Sequence, residues 1–374
     1  MKKRELYYMT GMLLFTALLN ALSWILPSFS DFYTDHIFPL FTGSLGRLTS
    51  LVPFSVGERM IAAGVLLLLV LAVLLLLYPF VRREDFRRRA RGFFRFMAHL
   101  VIVVALVMTL NCFLLYHCTP LSPGGSGTER RYTVKELACL RDYIVEEAAA
   151  LCETLPHTED GLLSAPEDLT ARAMTAVKGL SGEYPRFSSY CVTPKPLSCS
   201  GFISQQHMQG YYFPFSMEAN YNTIMQVGSR PFTLCHELAH THGYIYEDEA
   251  NYLGFLACIK SGDPFLVYSG YLGVLNYVDN AFYRSVSREE YRRHVRVPDQ
   301  VRLDNRFLTD EDWLLVKEAS PLDTEKVHQA ANTFVDTTLK VNGVQDGYAS
   351  YDRVVELLLR HYIGTGLLPC EPEQ

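Results

Sequence analysis

The chain has 374 residues and a net charge of −6, which is long enough for a catalytic domain together with a second region. The charge is unevenly distributed. Residues 1–116 carry 12 Lys and Arg against 6 Asp and Glu, whereas the remainder carries 22 against 34. An acidic C-terminal part argues against nucleic-acid binding, so we expect no nucleic-acid partner.

Three apolar stretches near the N-terminus predict membrane-spanning helices. They cover about residues 7–26, 60–80 and 96–116, and each is long enough to cross a bilayer. The first stretch has no small-residue cleavage site before Pro27, so we interpret it as an anchor and not as a signal peptide. Residues 27–59 form a predicted loop whose apolar patches are too short to span but suit an interfacial helix.

Basic residues orient the predicted spans. The N-terminus and the stretch from Arg82 to Arg95 carry most of the positive charge of this region, and such segments stay in the cytoplasm. With three spans, the C-terminal domain then lies outside the cytoplasm. We therefore predict a multi-pass membrane protein in which residues 1–116 are the anchor and the lipid bilayer is a partner.

A linker and a mainly helical domain are predicted after the anchor. Pro, Gly and Ser are frequent within residues 117–130, which we interpret as a linker. The domain at residues 131–374 combines helical periodicity with a stretch, residues 186–228, in which aromatic and β-branched residues alternate with turn formers. These patterns predict an α+β fold that is mainly helical, with a small sheet ahead of the next helix.

Nine cysteines restrict the interpretation of the redox chemistry. The chain has no CxxC pair, which argues against a structural zinc ribbon or a thioredoxin-like motif. Cys191 and Cys199 are close enough in sequence to form a loop disulfide. Cys235 and Cys258 lie in predicted helices, and we expect both to be buried apolar fillers.

An HExxH motif occupies His236–His240, in a predicted helix. Ser229 suits the N-cap of this helix, Pro231 its first turn and Gly243 its C-terminal end. Histidines four residues apart lie on one helix face, so both imidazoles can bind the same tetrahedral Zn²⁺. Glu237 lies between them and is the candidate catalytic base.

A catalytic zinc site needs a third protein ligand. Metzincin spacing would place a histidine at position 246, which is Tyr246, and His242 lies on a different face of the helix. A glutamate on the next helix, either Glu247 or Glu249, can take this role. Asn251 lies one turn after Glu247 and can hydrogen-bond a ligand histidine, so Glu247 is favoured and Glu249 stays open. Alternatively, either carboxylate only interacts favourably with the positive end of the helix dipole and binds no metal.

The sequence resembles two groups of known proteins. HExxH followed by the run EDEAN at residues 247–251 is similar to the gluzincin pattern, which implies Glu247 as zinc ligand and Asn251 in place of the usual aspartate. More closely, the chain resembles a family of bacterial membrane proteins that carry a domain of unknown function. That resemblance rests on the three spans, HELAH, EDEAN and blocks within residues 212–220 and 346–355. It implies a gluzincin-like zinc-peptidase domain in a bacterial cell membrane, without a substrate.

These observations predict a membrane-anchored zinc metallopeptidase that hydrolyses a peptide or protein outside the cytoplasm, with Glu237 as the base. The strands ahead of the motif either pair with an extended substrate or form a plain hairpin. A non-catalytic zinc-containing membrane sensor is the alternative. An active site within the membrane is excluded, because the flanks of the motif are too polar for a span. The candidates for stabilising the oxyanion are His207, Tyr348, Tyr351 and Arg353.

Overall fold

The structure is a computed structural model that describes residues 3–121, 132–345, 347, 353–368 and 370. Most of the predicted linker at residues 117–130 lies outside the described residues.

Three long apolar helices form the N-terminal region, as predicted. The helices of this region are α1 (Lys3–Ile25), α2 (Pro27–Phe32), α3 (Phe38–Phe41), α4 (Arg47–Thr49), α5 (Val56–Leu77) and α6 (Glu84–Asn111). Helices α1, α5 and α6 are each long and apolar enough to cross a membrane. None of the most apolar window of α5 is buried, as expected for a helix whose side chains face lipid.

The segment between α1 and α5 is helical, although the sequence predicted a loop. Two π-helical turns, Tyr33–Ile37 and Thr42–Gly46, join α2, α3 and α4 into one curved rod. We call Pro27–Thr49 the interspan segment.

Helix α6 begins earlier than the predicted third span. It includes the arginine-rich stretch, because arginine is a good helix former and Glu84 and Asp85 occupy the first turn, where negative charge favours the helix dipole. The helix ends at Asn111 and is followed by a 3₁₀ turn, Phe113–His117. The arginine-rich stretch is therefore continuous with the third apolar helix.

The C-terminal domain is mainly helical, with one small sheet. Its helices are α7 (Val134–Thr154), α8 (Leu169–Gly179), α9 (Ser200–Gln205), α10 (Arg230–Thr241), α11 (Glu247–Lys260), α12 (Pro264–Ser285), α13 (Arg288–Tyr291), α14 (Asp299–Asp304), α15 (Asp310–Ala319), α16 (Thr324–Val341) and α17 (Val354–Leu359). A capping box at Thr133 and Glu136 starts α7, and another at Thr309 and Asp312 starts α15. The predicted α+β class is confirmed.

The sheet lies ahead of α10 in sequence, as predicted. Its strands are β1 (Lys195–Pro196), β2 (Gly210–Phe213) and β3 (Glu218–Tyr221), in the order β1-β3-β2. Strand β1 runs parallel to β3, and β2 runs antiparallel to β3 with Gly210 opposite Tyr221 and Phe213 opposite Glu218. Strand β2 is therefore an edge strand.

Two hydrophobic cores hold the molecule together. The larger one joins α7, α8, α10, α11 and α12, with fully buried residues such as Leu140, Leu238 and Phe255. The smaller one joins the interspan segment, through Phe38, to Leu114 and to residues of the C-terminal domain such as Ile245. Each such side chain contributes about 1.5–3 kcal/mol when it is buried. The apolar helices and the domain thus share one packed interface.

One disulfide, Cys139–Cys370, ties α7 to the C-terminal end of the described chain. The status of Cys191 and Cys199, which the sequence left open, is that of two free cysteines: Cys191 is buried in the larger core and Cys199 is exposed. The cysteines at positions 235 and 258 are free and buried in that core, as predicted.

Candidate metal centre

Helix α10 carries the HExxH motif through the larger core. Pro231 lies in its first turn, and Ser229 precedes it without forming a side-chain cap. Gly243 follows its end with φ +89°, and a Cβ at this glycine would lie 2.6 Å from Cγ2 of Thr34. Only glycine therefore allows the helix to end against the interspan segment.

The two histidines of the motif face each other. His236 Nε2 and His240 Nε2 are 3.0 Å apart. His240 Nδ1 lies 2.8 Å from the carbonyl oxygen of Tyr244, to which it donates. This hydrogen bond fixes the tautomer of the neutral ring and leaves the lone pair of Nε2 directed at His236, the arrangement that metal-binding histidines use.

Glu247, the first residue of α11, completes a group of three ligand atoms. Its Oε2 lies 3.2 Å from His236 Nε2 and 3.6 Å from His240 Nε2, and the three atoms fall within 4.8 Å of one another. Gly254 makes this approach possible, since a Cβ there would lie 3.1 Å from the backbone nitrogen of His236. The donor set of two imidazoles and one carboxylate suits zinc.

Glu249 is directed elsewhere. Its carboxylate is buried and accepts a hydrogen bond from the backbone nitrogen of Leu121. Burial raises the pKa of Glu249 to about 7, partly offset by that hydrogen bond. The structure therefore brings Glu247, and not Glu249, to the two histidines.

One proton is shared within the group of three. Burial lowers the pKa of His240. The charge and the hydrogen bond of Glu247 have the opposite effect, and the pKa of His240 rises to about 9 as the net result. Burial and the neighbouring His240 lower the pKa of His236. The two histidines hold the pKa of Glu247 well below its usual range, against the opposing effect of burial. A divalent cation would replace this single proton.

Glu237 is a buried carboxylate without a partner beside this group. It is 4% exposed, and among the described residues its Oε2 has no hydrogen-bond partner. Burial raises the pKa of Glu237 to about 8, against the opposing effect of His240. A Cβ at Gly210 of β2 would lie 2.8 Å from Glu237 Oε1, so this glycine lets the edge strand run directly against the carboxylate.

Asn251 lies near His236, one turn after Glu247 on α11, and raises the pKa of His236 against the larger lowering effect of burial. Within the described part of the chain, neither His236 Nδ1 nor Asn251 Nδ2 has a hydrogen-bond partner. The hydrogen bond from Asn251 to a ligand histidine therefore stays a prediction.

The remaining candidates have other contacts. His242 Nδ1 lies 2.7 Å from the carbonyl oxygen of Leu238, away from the ligand group. The ring of His207 lies 4.0 Å from that of His328, and Arg353 forms an ion pair with Asp248. The predicted oxyanion candidates Tyr348 and Tyr351 lie outside the described residues.

Sequence reasoning missed the two glycines, Gly210 and Gly254, and also Tyr212. The Tyr212 ring lies 6.4 Å from the ring of His240. Gly254 carried a signal, since it lies seven residues after Glu247 and therefore on nearly the same helix face. Gly210 carried none, because its contact with Glu237 arises only in the folded chain.

One cavity lies apart from the ligand group. It has a volume of about 800 Å³ and is lined by residues that include Arg186, Tyr244 and Glu249. The three ligand side chains and Glu237 do not line it, so this cavity carries no part of the metal chemistry.

The chain thus combines three helices that are long and apolar enough to cross a membrane with a His-His-Glu group that could hold a metal ion. A family model described as Protein of unknown function (DUF3810) matches residues 33–359, so the chain belongs to that family. No curated protein and no solved structure matches the chain. The expected membership in a family of unknown function is thus confirmed, and the family description names no activity.

Proposed function

We propose that the protein is a membrane-anchored zinc metallopeptidase in which His236, His240 and Glu247 bind zinc and Glu237 is the catalytic base. The observation that carries this proposal is Oε2 of the buried Glu237, which has no hydrogen-bond partner among the described residues and belongs to the motif that supplies two of the three ligand atoms. A metal that only stabilises the fold has no use for such a carboxylate, whose burial without a partner costs free energy.

The ligand set favours a catalytic over a structural site. Among the described residues, the group at α10 and α11 has three members. Structural zinc is usually closed by four protein ligands, whereas catalytic zinc has three and keeps one position for water. This count also argues against the non-catalytic sensor.

Zinc held by these residues would activate water for attack on a peptide carbonyl carbon. Glu237 would serve as the base that accepts a proton from that water, and it would then deliver the proton to the leaving amine. The edge of β2 passes over Glu237 at Gly210 and offers backbone N–H and C=O groups to an extended peptide.

Two observations support an active site outside the cytoplasm. The disulfide between Cys139 and Cys370 belongs to an oxidising compartment. The arginine-rich start of α6 belongs on the cytoplasmic side by the distribution of positive charge, which places the end of that helix at Asn111 on the opposite side.

The test uses the full chain, purified in detergent and loaded with zinc, with a randomised peptide library as substrate. We expect one tightly bound zinc per chain and cleavage of the library. Glu237→Gln should retain zinc and lose about 10²–10⁴-fold in rate, since it removes only the base. Glu249→Gln is the matched control and should keep both zinc and activity. Normal turnover by Glu237→Gln would overturn the role of Glu237, and bound zinc without any cleavage would favour the sensor.

A further inference from the structure

The candidate metal centre lies at the C-terminal end of the third apolar helix. The Tyr212 hydroxyl donates to the carbonyl oxygen of Asn111, the last residue of α6, at 3.1 Å. The ring of the same tyrosine lies 6.4 Å from the ring of His240. Tyr246, the residue before Glu247, donates its hydroxyl to the carbonyl oxygen of Tyr116. One tyrosine side chain therefore bridges the end of α6 and a ligand histidine.

The interspan segment covers the end of the motif helix. The Thr42 hydroxyl donates to the carbonyl oxygen of Thr241, the last residue of α10, at 3.0 Å. Thr34 and Phe38 pack against Gly243, where a Cβ would collide with Thr34. The inner face of the segment is thus fixed to the helix that carries both histidines.

The charged residues of the interspan segment bind other parts of the protein. Asp31 accepts hydrogen bonds from Thr119, and Asp35 forms an ion pair with Arg186 at 2.7 Å. Arg47 lies over the ring of Tyr190, 4.7 Å from its centroid.

The outer face of this segment and the residues after it are apolar and exposed. The exposed fractions are 55% for Phe32, 66% for Leu40, 64% for Leu48 and 78% for Leu51. The face is continuous with α1 on one side and α5 on the other, both of which are apolar enough to cross a membrane. Such a patch between two spans suits the interfacial region of a bilayer.

We propose that this face rests in the bilayer surface and that the metal centre acts on membrane-anchored polypeptides, which it cuts close to their anchor. This inference rests on the proposed peptidase function. A site one side chain away from the end of α6 stays near the bilayer. A peptide bond close to a membrane anchor is held near this site at a high effective concentration. A peptide bond that is held away from the bilayer surface has a lower effective concentration at the site.

The first test compares three presentations of one randomised peptide library to the full chain in phospholipid vesicles. The library is free in solution, joined directly to a transmembrane anchor, or joined to the same anchor through a folded spacer domain. We expect the directly anchored library to be cleaved on the order of tenfold faster than the spaced one at equal surface density. Equal rates for the two anchored forms would overturn this inference and leave the peptidase intact. Absence of cleavage in all three would overturn the peptidase, and this inference with it.

The second test locates the apolar face without using activity. An environment-sensitive fluorophore is attached at Leu48→Cys in a Cys199→Ser background, because Cys199 is an exposed free thiol. Phospholipids with a quencher near the headgroup should quench this probe severalfold more than a probe at Glu289→Cys, on the exposed surface of α13. Equal quenching at the two positions would overturn the placement of the face in the bilayer.

Discussion

Within the part of the chain that the structure describes, two groups of side chains each bring three metal-ligand atoms within 4.8 Å of one another, and they differ in how their polar atoms are satisfied. The groups are His236, His240 and Glu247, and Cys152, His157 and Asp304. Both are partly or fully buried, and both combine residue types that bind zinc.

The second group is closed by hydrogen bonds. Asp304 accepts from the Tyr268 hydroxyl at 2.7 Å, from Gln300 at 2.9 Å, from His157 Nε2 at 3.0 Å and from the Cys152 thiol at 3.6 Å. A buried carboxylate with this many donors is fully satisfied without a cation.

The first group is open. Two imidazole nitrogens face each other at 3.0 Å, and Oε2 of the neighbouring Glu237 is buried without a hydrogen-bond partner among the described residues. The comparison teaches that proximity of ligand residues does not mark a metal centre by itself. The two groups differ in whether a buried carboxylate oxygen beside the ligand atoms is left without a partner.

The largest effect on stability is expected from breaking the closed group. Asp304→Asn replaces a buried acceptor of several hydrogen bonds and should lower the free energy of unfolding by about 3–5 kcal/mol, measured by denaturant unfolding of the full chain in detergent. Zinc content of the folded fraction should not change. Loss of zinc with unchanged stability would instead identify Asp304 as a ligand of a second metal.

Removal of one ligand of the open group should abolish tight zinc binding. His240→Ala is expected to lower the affinity for zinc by at least about 100-fold, because one of the three protein ligands is lost. His157→Ala is the matched control from the closed group and should keep its zinc. Competition with a calibrated chelator measures both, and equal losses would remove the distinction between the two groups.

The positioning effect of Asn251 should be smaller. Asn251→Ala is expected to weaken zinc binding by about 10–100-fold, because His236 loses its predicted hydrogen-bonding neighbour. Asn251→Asp should restore binding, whereas a merely structural role for this residue would leave both variants equally impaired.

Zinc affinity should also depend on pH in a defined direction. His240 binds a proton with a pKa near 9 in the metal-free protein, so zinc must displace that proton at lower pH. Apparent affinity should therefore rise about tenfold per pH unit between pH 7 and 9 and then level off. The slope should vanish in Glu247→Gln, which removes the carboxylate that raises the pKa of His240. A flat profile in the unmodified protein would contradict the shared proton.

The smallest effect is expected at Cys152. Its thiol is the weakest donor to Asp304, and Cys152→Ala should change the free energy of unfolding by about 1 kcal/mol or less. A loss as large as that of Asp304→Asn would show that the closed group depends on the sulfur.

The fold class and the motif helix could be predicted because their signals are local. Apolar runs of bilayer length are visible in the sequence, and the spacing of His236 and His240 places them on one helix face. The position of Asn251 favoured Glu247, and the structure does bring Glu247 to the histidines.

Tertiary contacts could not be predicted from local patterns. The cysteines at positions 139 and 370 are separated by 231 residues, so no spacing argument pairs them. Proximity in sequence allowed a pair between Cys191 and Cys199, and both cysteines are free in the structure. The continuous helical path of the interspan segment was not predicted, because its apolar patches are short and indicated at most an interfacial helix within a loop.

The hydrogen bond between Thr42 and Thr241 joins residues 199 positions apart. During synthesis the interspan segment is therefore made well before the motif helix, and that helix completes its packing against residues that already exist. Gly243 closes upon Thr34 of the earlier segment. Folding of the helix that carries both histidines thus depends on the segment that joins the first two apolar helices.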